Sequence, residues 1–113
     1  MEDLDPPRRT LLTPEALSGA LEELPDWAGD VHGIHRRTRG IDFRAAAEHV
    51  LALADVADQL DHHPDVEIGY GSLIVHLITH SVDGVTELDV EFARRADELL
   101  AAQSDDDARL DGA

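Results

Sequence analysis

Three histidines, His62, His63 and His80, lie among carboxylates in the run Asp58-Gln59-Leu60-Asp61-His62-His63-Pro64-Asp65 and the pair Thr79-His80. Imidazole gives and takes protons near neutrality, so two rings, one protonated and one neutral, can serve one substrate as acid and base. Asp58 precedes His62 by four residues, and the two share a face if a helix persists that far. Taken alone, a histidine pair before a proline reads best as a solvated helix end. The functional reading gains from His80, which ends a strand joined by a hairpin to the segment that begins at His62-His63-Pro64, so that the two ends can converge. Three imidazoles with one open position would also suit zinc. Against that, His62 and His63 are adjacent, and adjacent side chains point apart.

The elements that must position these residues are legible from caps and spacing. Thr13 reads as an N-cap and Pro14 as the first residue of a helix carrying Leu17, Leu21 and Leu24, which Pro25 ends. Trp27 to Arg39 alternates loosely around Gly29 and Gly33 and predicts a short hairpin. Asp42 caps a second helix, in which Phe43, Ala46, Ala47, Val50, Leu53, Ala54, Ala57 and Leu60 recur at the spacing of one buried face. Pro64 stops that helix, which puts His62 and His63 at or just past its C-terminus. Val66, Ile68 and Tyr70 predict a strand, Gly71-Ser72 a type II′ turn, and Leu73 to Thr79 the return strand.

On that return strand Ile74, His76 and Ile78 oppose Leu73, Val75 and Leu77, so neither face is uniformly polar. A partner subunit over the second face is the expectation. Thr86-Glu87-Leu88-Asp89 resembles a capping box with Asp in place of Glu and opens a third helix through Phe92, Ala93, Ala96 and Leu99 or Leu100. The remaining histidines, His32, His35 and His49, are expected on solvated faces, and His76 at an interface. The predicted fold is α+β, a four-stranded antiparallel sheet with three helices packed on one face, in the order α-β-β-α-β-β-α. Residues 1–10 read as a flexible arm, 11–103 as the domain and 104–113 as an acidic disordered tail.

The chain's 113 residues suit one domain with one core. Nine basic against 25 acidic residues give a formal charge of −16, which repels phosphate backbones and anionic membrane surfaces. Direct nucleic-acid binding and membrane association are therefore not expected. The absence of cysteine excludes disulfides, a catalytic thiolate and iron–sulfur clusters. With no long apolar run and an acidic N-terminus lacking a signal-peptide pattern, the sequence predicts a soluble, cytoplasmic protein.

Asp58-x-x-Asp61-His62-His63-Pro64-Asp65, then Tyr70, Thr79-His80 and Gly84-x-Thr86-Glu87-x-Asp89, together resemble the pterin-4a-carbinolamine dehydratases. The resemblance runs from about Leu12 to Leu100. It is specific from Phe43 to Ala93 and weaker at Leu12-Thr13-Pro14-Glu15 and Pro25-Asp26-Trp27. It implies the same fold and no metal; no cofactor is expected, and the two-sided return strand predicts a homodimer or homotetramer. It also implies catalytic roles for His62, His63 and His80, and substrate-binding roles for Asp58, Asp61, Pro64, Thr79 and Asp89, with Thr79 and Asp89 lining a pterin pocket. The implied reaction is loss of water from a 4a-hydroxytetrahydropterin, in the recycling of a tetrahydropterin cofactor. His62 and His80 would exchange the protons while His63 and Asp61 position the pterin.

Two departures stand out: Leu88 where the family commonly has a basic residue, and Thr38 and Gly40 near where it commonly has aromatics. Two other classes fit the same residues. One is a non-catalytic dimerisation or protein-binding module of the same fold, since a member of the resembled family also partners a transcription factor. The other is a histidine-based metal-binding protein.

Overall fold

Side chains that cap their own helices set the frame. Thr13 accepts a hydrogen bond from the Ala16 amide and opens α1, Pro14–Glu22, with proline in the first turn. Asp42 accepts from the Ala45 amide at 2.7 Å and opens α2, Phe43–Leu60. The protein's structure, a computed structural model, describes the backbone of residues 8–112 and the side chains of residues 8–100. Strands β1 (Trp27–Asp30) and β2 (Gly33–Arg39) form the first hairpin, β3 (Asp65–Gly69) and β4 (Ser72–Leu77) the second, and α3 spans Glu87–Gly112. The order is α-β-β-α-β-β-α, as the sequence predicts.

All neighbouring strands run antiparallel, in the order β1-β2-β4-β3. The second hairpin therefore lays β4 beside β2, pairing Ile34 with Leu77 and Arg36 with Val75. Strand alternation sends Leu73, Val75 and Leu77 into the core with Ile34 and Trp27, where they meet Leu53, Leu60, Phe92 and Ala96 of the helices. Ser72, Ile74 and His76 point the other way and stay partly exposed. A polar link ties α3 to the first hairpin: Asp97 accepts from the Trp27 indole N–H at 2.8 Å and from the Arg36 guanidinium at 2.5 Å.

The buried face of α2 differs from the one that apolar spacing predicts. The core takes Ala46, His49, Leu53, Val56, Ala57 and Leu60, whereas Ala47 and Ala54 are exposed and Phe43 is 71% exposed. Alanine occurs on several sides of this helix, so two stripes were available. The stripe chosen has three-to-four spacing throughout, but its second member is a histidine, which hid it. His49 is thus a core residue, not one on a solvated face.

The second turn also shifts. Gly69 pairs with Ser72, so the two loop residues are Tyr70 and Gly71, not Gly71 and Ser72. Gly71 has φ +74, a left-handed conformation that glycine adopts without cost, while Tyr70 is fully exposed rather than in a strand.

Backbone hydrogen bonds and helix extend toward both termini where the chain is described. Arg8 and Leu12 hydrogen-bond through their backbones to Leu88 and Val85, so the arm is fastened from residue 8 onward. Residues 1–7 lie outside the described residues. Helix α3 continues past Gln103 to Gly112, through Ala101, Ala102, Arg109 and Leu110, residue types that favour a helix once one is nucleated. Residue 113 lies outside the described residues.

A candidate active site at the end of α2

Helix α2 stops at Leu60 because Asp61 adopts a left-handed conformation, φ 51 and ψ 49, while its N–H still bonds to the Ala57 carbonyl. That turn reverses the chain and fixes where the next two side chains go. His62 is carried inward and is 6% exposed; His63 stays outside. Pro64 then leads into β3 without a backbone donor.

The inward ring finds a partner on another element. His62 Nε2 lies 2.5 Å from Oδ1 of Asp89, a residue with no exposed surface. Asp89 is the third residue past the cap of α3. Its second oxygen accepts from the Thr86 amide at 2.9 Å, closing the capping box, and from the Thr79 hydroxyl at 2.8 Å. The Thr79 and Thr86 hydroxyls stand 2.8 Å apart, and the Thr86 hydroxyl also accepts from the Leu88 amide.

An ionised carboxylate only accepts, so with Asp89 ionised the proton in the contact with His62 belongs to the ring. Nε2–H donates to Asp89, and Nδ1 is the position left for chemistry. Among the described residues no other side chain bonds to that ring; Phe92 only meets it edge-on, with ring centroids 6.3 Å apart.

The return strand stops at Leu77, short of the expected Thr79, so His80 does not end a strand: Thr79 is bridged to Gly84 and buried against Asp89, and His80, in the turn that follows, is exposed. There His80 Nε2 is 3.6 Å from the Asp65 carboxylate, both side chains being largely exposed. His63 stands on a groove of about 270 Å³ between α2 and β3, with Leu53, Ala57, Asp58, Pro64 and Val66. A larger groove of about 600 Å³ lies between α1 and the first hairpin, but its polar side chains, Ser18, Glu22, Asp30 and His32, are all exposed and none is held by a buried partner. Of the two, the smaller groove is the one bordered by residues of the predicted site, Asp58, His63 and Pro64.

The predicted site residues therefore sort by geometry. His62, Thr79 and Asp89 are joined by hydrogen bonds; Asp58, His63 and Pro64 share the groove; His80 sits beside Thr79 with Asp65. No hydrogen bond or ring contact joins any two of the three imidazoles among the described residues. Thr79 and Asp89 are buried, and Asp89 joins Thr79 to His62. Asp61 is exposed and meets Arg9, whose guanidinium donates to the Asp61 carbonyl at 2.8 Å.

Arg9 and Thr86 are the contributors that sequence reasoning missed as site residues. The capping-box pattern pointed to Thr86 as a helix start, but nothing marked Arg9. Among the described residues no group of three or more His, Asp or Glu side chains gathers as metal ligands, and no helix is long and apolar enough to cross a membrane.

Comparison with known proteins identifies the family and agrees with the fold. The family model for pterin 4 alpha carbinolamine dehydratase matches residues 10–99. Curated proteins named "Putative pterin-4-alpha-carbinolamine dehydratase" include one from Nocardia farcinica, 38% identical over 79% of this chain and 94% of its own length. One from Streptomyces coelicolor is 41% identical over 80% of this chain and 90% of its own. Among solved structures, the transcriptional coactivator/pterin dehydratase from Brucella melitensis superposes with a TM-score of 0.71 at 35% identity, over 79% of this chain and 97% of that one. With that match spanning both the histidine cluster and the capped helix that supports it, the chain belongs to the pterin 4 alpha carbinolamine dehydratase family.

Proposed function

We propose that this protein dehydrates a 4a-hydroxytetrahydropterin to the quinonoid dihydropterin, as part of tetrahydropterin recycling after an aromatic amino acid hydroxylase. The observation that carries this reading is the buried His62–Asp89 pair beneath the histidine cluster, in a chain of this family.

The reaction needs two proton transfers. The bond from C4a to the hydroxyl oxygen breaks as that oxygen takes a proton and leaves as water. A ring nitrogen lone pair forms the new C=N bond, and a ring N–H gives its proton to a base, so atoms and charge balance without oxidant or reductant. His62, with Nε2–H committed to Asp89, exchanges its proton at Nδ1; Asp89 holds the tautomer and the ring orientation. His80, exposed beside Asp65, exchanges the other proton. His63 and Asp61 position the pterin, and Asp58 and Pro64 border the groove that would receive its flat ring system. General acid–base help of this kind is typically worth about 10²- to 10⁴-fold, enough for an adduct that also loses water unaided.

The test is carbinolamine turnover above the spontaneous rate by the purified protein and by His62→Ala and His80→Ala. Wild-type protein no faster than the uncatalysed reaction would end this reading.

A second reading has its own support in Ile74 and Ile78, half-buried on the sheet face away from the helices. There the family fold would act as a dimerisation or protein-binding module, and the protein would associate without turnover.

A further inference from the structure

We propose that the segment around Arg9 is a strap that positions His62 for proton transfer, with Arg9 as a positioning residue. It grips both sides of the His62–Asp89 pair. On one side, residues 8–12 run antiparallel to the turn that caps α3. The Leu12 amide donates to the Val85 carbonyl at 2.9 Å, Leu11 bridges to Thr86, the Leu88 amide donates to the Arg8 carbonyl at 3.3 Å, and the Arg8 amide donates to Glu87 Oε1 at 3.3 Å. A Cβ at Gly84 would come within 2.9 Å of the Val31 main-chain carbonyl, which is why the position is a glycine, and the Leu11 side chain packs over the space that this leaves. The turn held in this way is the one whose capping box aims Asp89 at His62.

On the other side, the Arg9 guanidinium donates to the main-chain carbonyl of Asp61 at 2.8 Å and stands 4.0 Å from its carboxylate. The exposed ion pair contributes little by itself, since Asp61 is 95% exposed and solvent screens it. The carbonyl contact matters more. Asp61 is the left-handed residue that turns the chain out of α2, a conformation unfavourable for a non-glycine residue, and its peptide plane sets the direction in which His62 enters. Among the described residues Arg9 is the one arginine or lysine in contact with residues 61–65. Leu88 is buried and holds the strap through its amide.

This inference rests on His62 being an acid–base residue of the proposed dehydration, so its test reads the ring directly as well as the rate. In the full chain, long-range ¹H–¹⁵N correlation of the His62 ring should show the Nε2–H tautomer. Arg9→Ala should convert it to a tautomer mixture while the thermal midpoint stays near wild type. Carbinolamine turnover should fall several-fold in kcat with little change in KM, and millimolar guanidinium ion should restore part of both signals. Arg9→Lys, with one charge but no forked donor, should fall between, and Arg44→Ala, which alters an exposed arginine in the first turn of α2, should change neither signal. An unchanged His62 spectrum in Arg9→Ala would overturn the strap, whatever the rate does. If the spectrum shifts but wild-type protein shows no turnover, the strap stands and the dehydratase reading falls.

Discussion

His62 Nε2 and Asp89 Oδ1 meet at 2.5 Å inside the protein, from residues 27 positions apart on either side of a complete β-hairpin. The carboxylate is also the cap of α3 and the acceptor for Thr79. One side chain thereby joins helix initiation, strand docking and the orientation of an imidazole, so its removal has consequences on all three levels.

Asp89→Ala leaves the Thr86 amide and the His62 Nε2–H without their acceptor in a site closed to water. Breaking a buried pair of this kind costs about 3–5 kcal/mol. A urea denaturation midpoint equal to wild type would refute that role. Asp89→Asn keeps the volume and part of the hydrogen bonding, so it should stay folded and lose turnover by about 10²- to 10⁴-fold, the range of general acid–base assistance.

His62→Ala and His80→Ala should each lower carbinolamine turnover severely with the far-UV circular dichroism unchanged, and the double variant should lose less than the product of the two losses. His63→Ala should act mainly on KM. His49 is unsuitable as a control because it is buried in the core; exposed His32 serves instead, and His32→Ala should keep wild-type rates.

Thr86→Ala removes the hydroxyl that caps the Leu88 amide and contacts Thr79. Loss of an N-cap costs about 0.5–2 kcal/mol, so the thermal midpoint should drop by several degrees while the dimensions of the protein stay the same. An unshifted midpoint would mean that the Asp89 carboxylate alone caps α3.

Ile74 and Ile78 lie on the sheet face that the helices do not cover, with Arg37 beside Ile74 on β2 and Glu67 on β3. Light scattering should find a dimer or tetramer at micromolar concentration, and Ile74→Glu should shift it toward monomer. A wild-type monomer would remove the subunit contact from that face.

Extended dialysis against a chelator should leave folding and turnover as they were. If activity were lost and zinc restored it, metal-bound water would replace the histidine exchange as the proton source.

Local chemistry was readable directly from the sequence. Thr13-Pro14, Asp42 and the Thr86-to-Asp89 box each act on backbone groups within a few residues, so their effect does not depend on the rest of the chain, and the helices start where those residues say, while α1 and α2 end a few residues short of Pro25 and Pro64. The hairpins followed for the same reason, apart from the slip of the second turn onto Tyr70-Gly71. The family's histidine motif could be recognised because its members are close together in sequence.

Tertiary structure decided what depends on distant partners. Whether His62 or His63 turns inward rests on the left-handed Asp61, and what the inward ring meets rests on an aspartate beyond the second hairpin. Which stripe of α2 is buried was settled by the sheet and α3 packed against it, since an alanine-rich helix offers more than one apolar side. The segment from Arg8 to Leu12 has no periodic apolar pattern; backbone groups of Arg8 and Leu12 pair it with a segment more than seventy residues away, and such pairing leaves no mark on side-chain spacing.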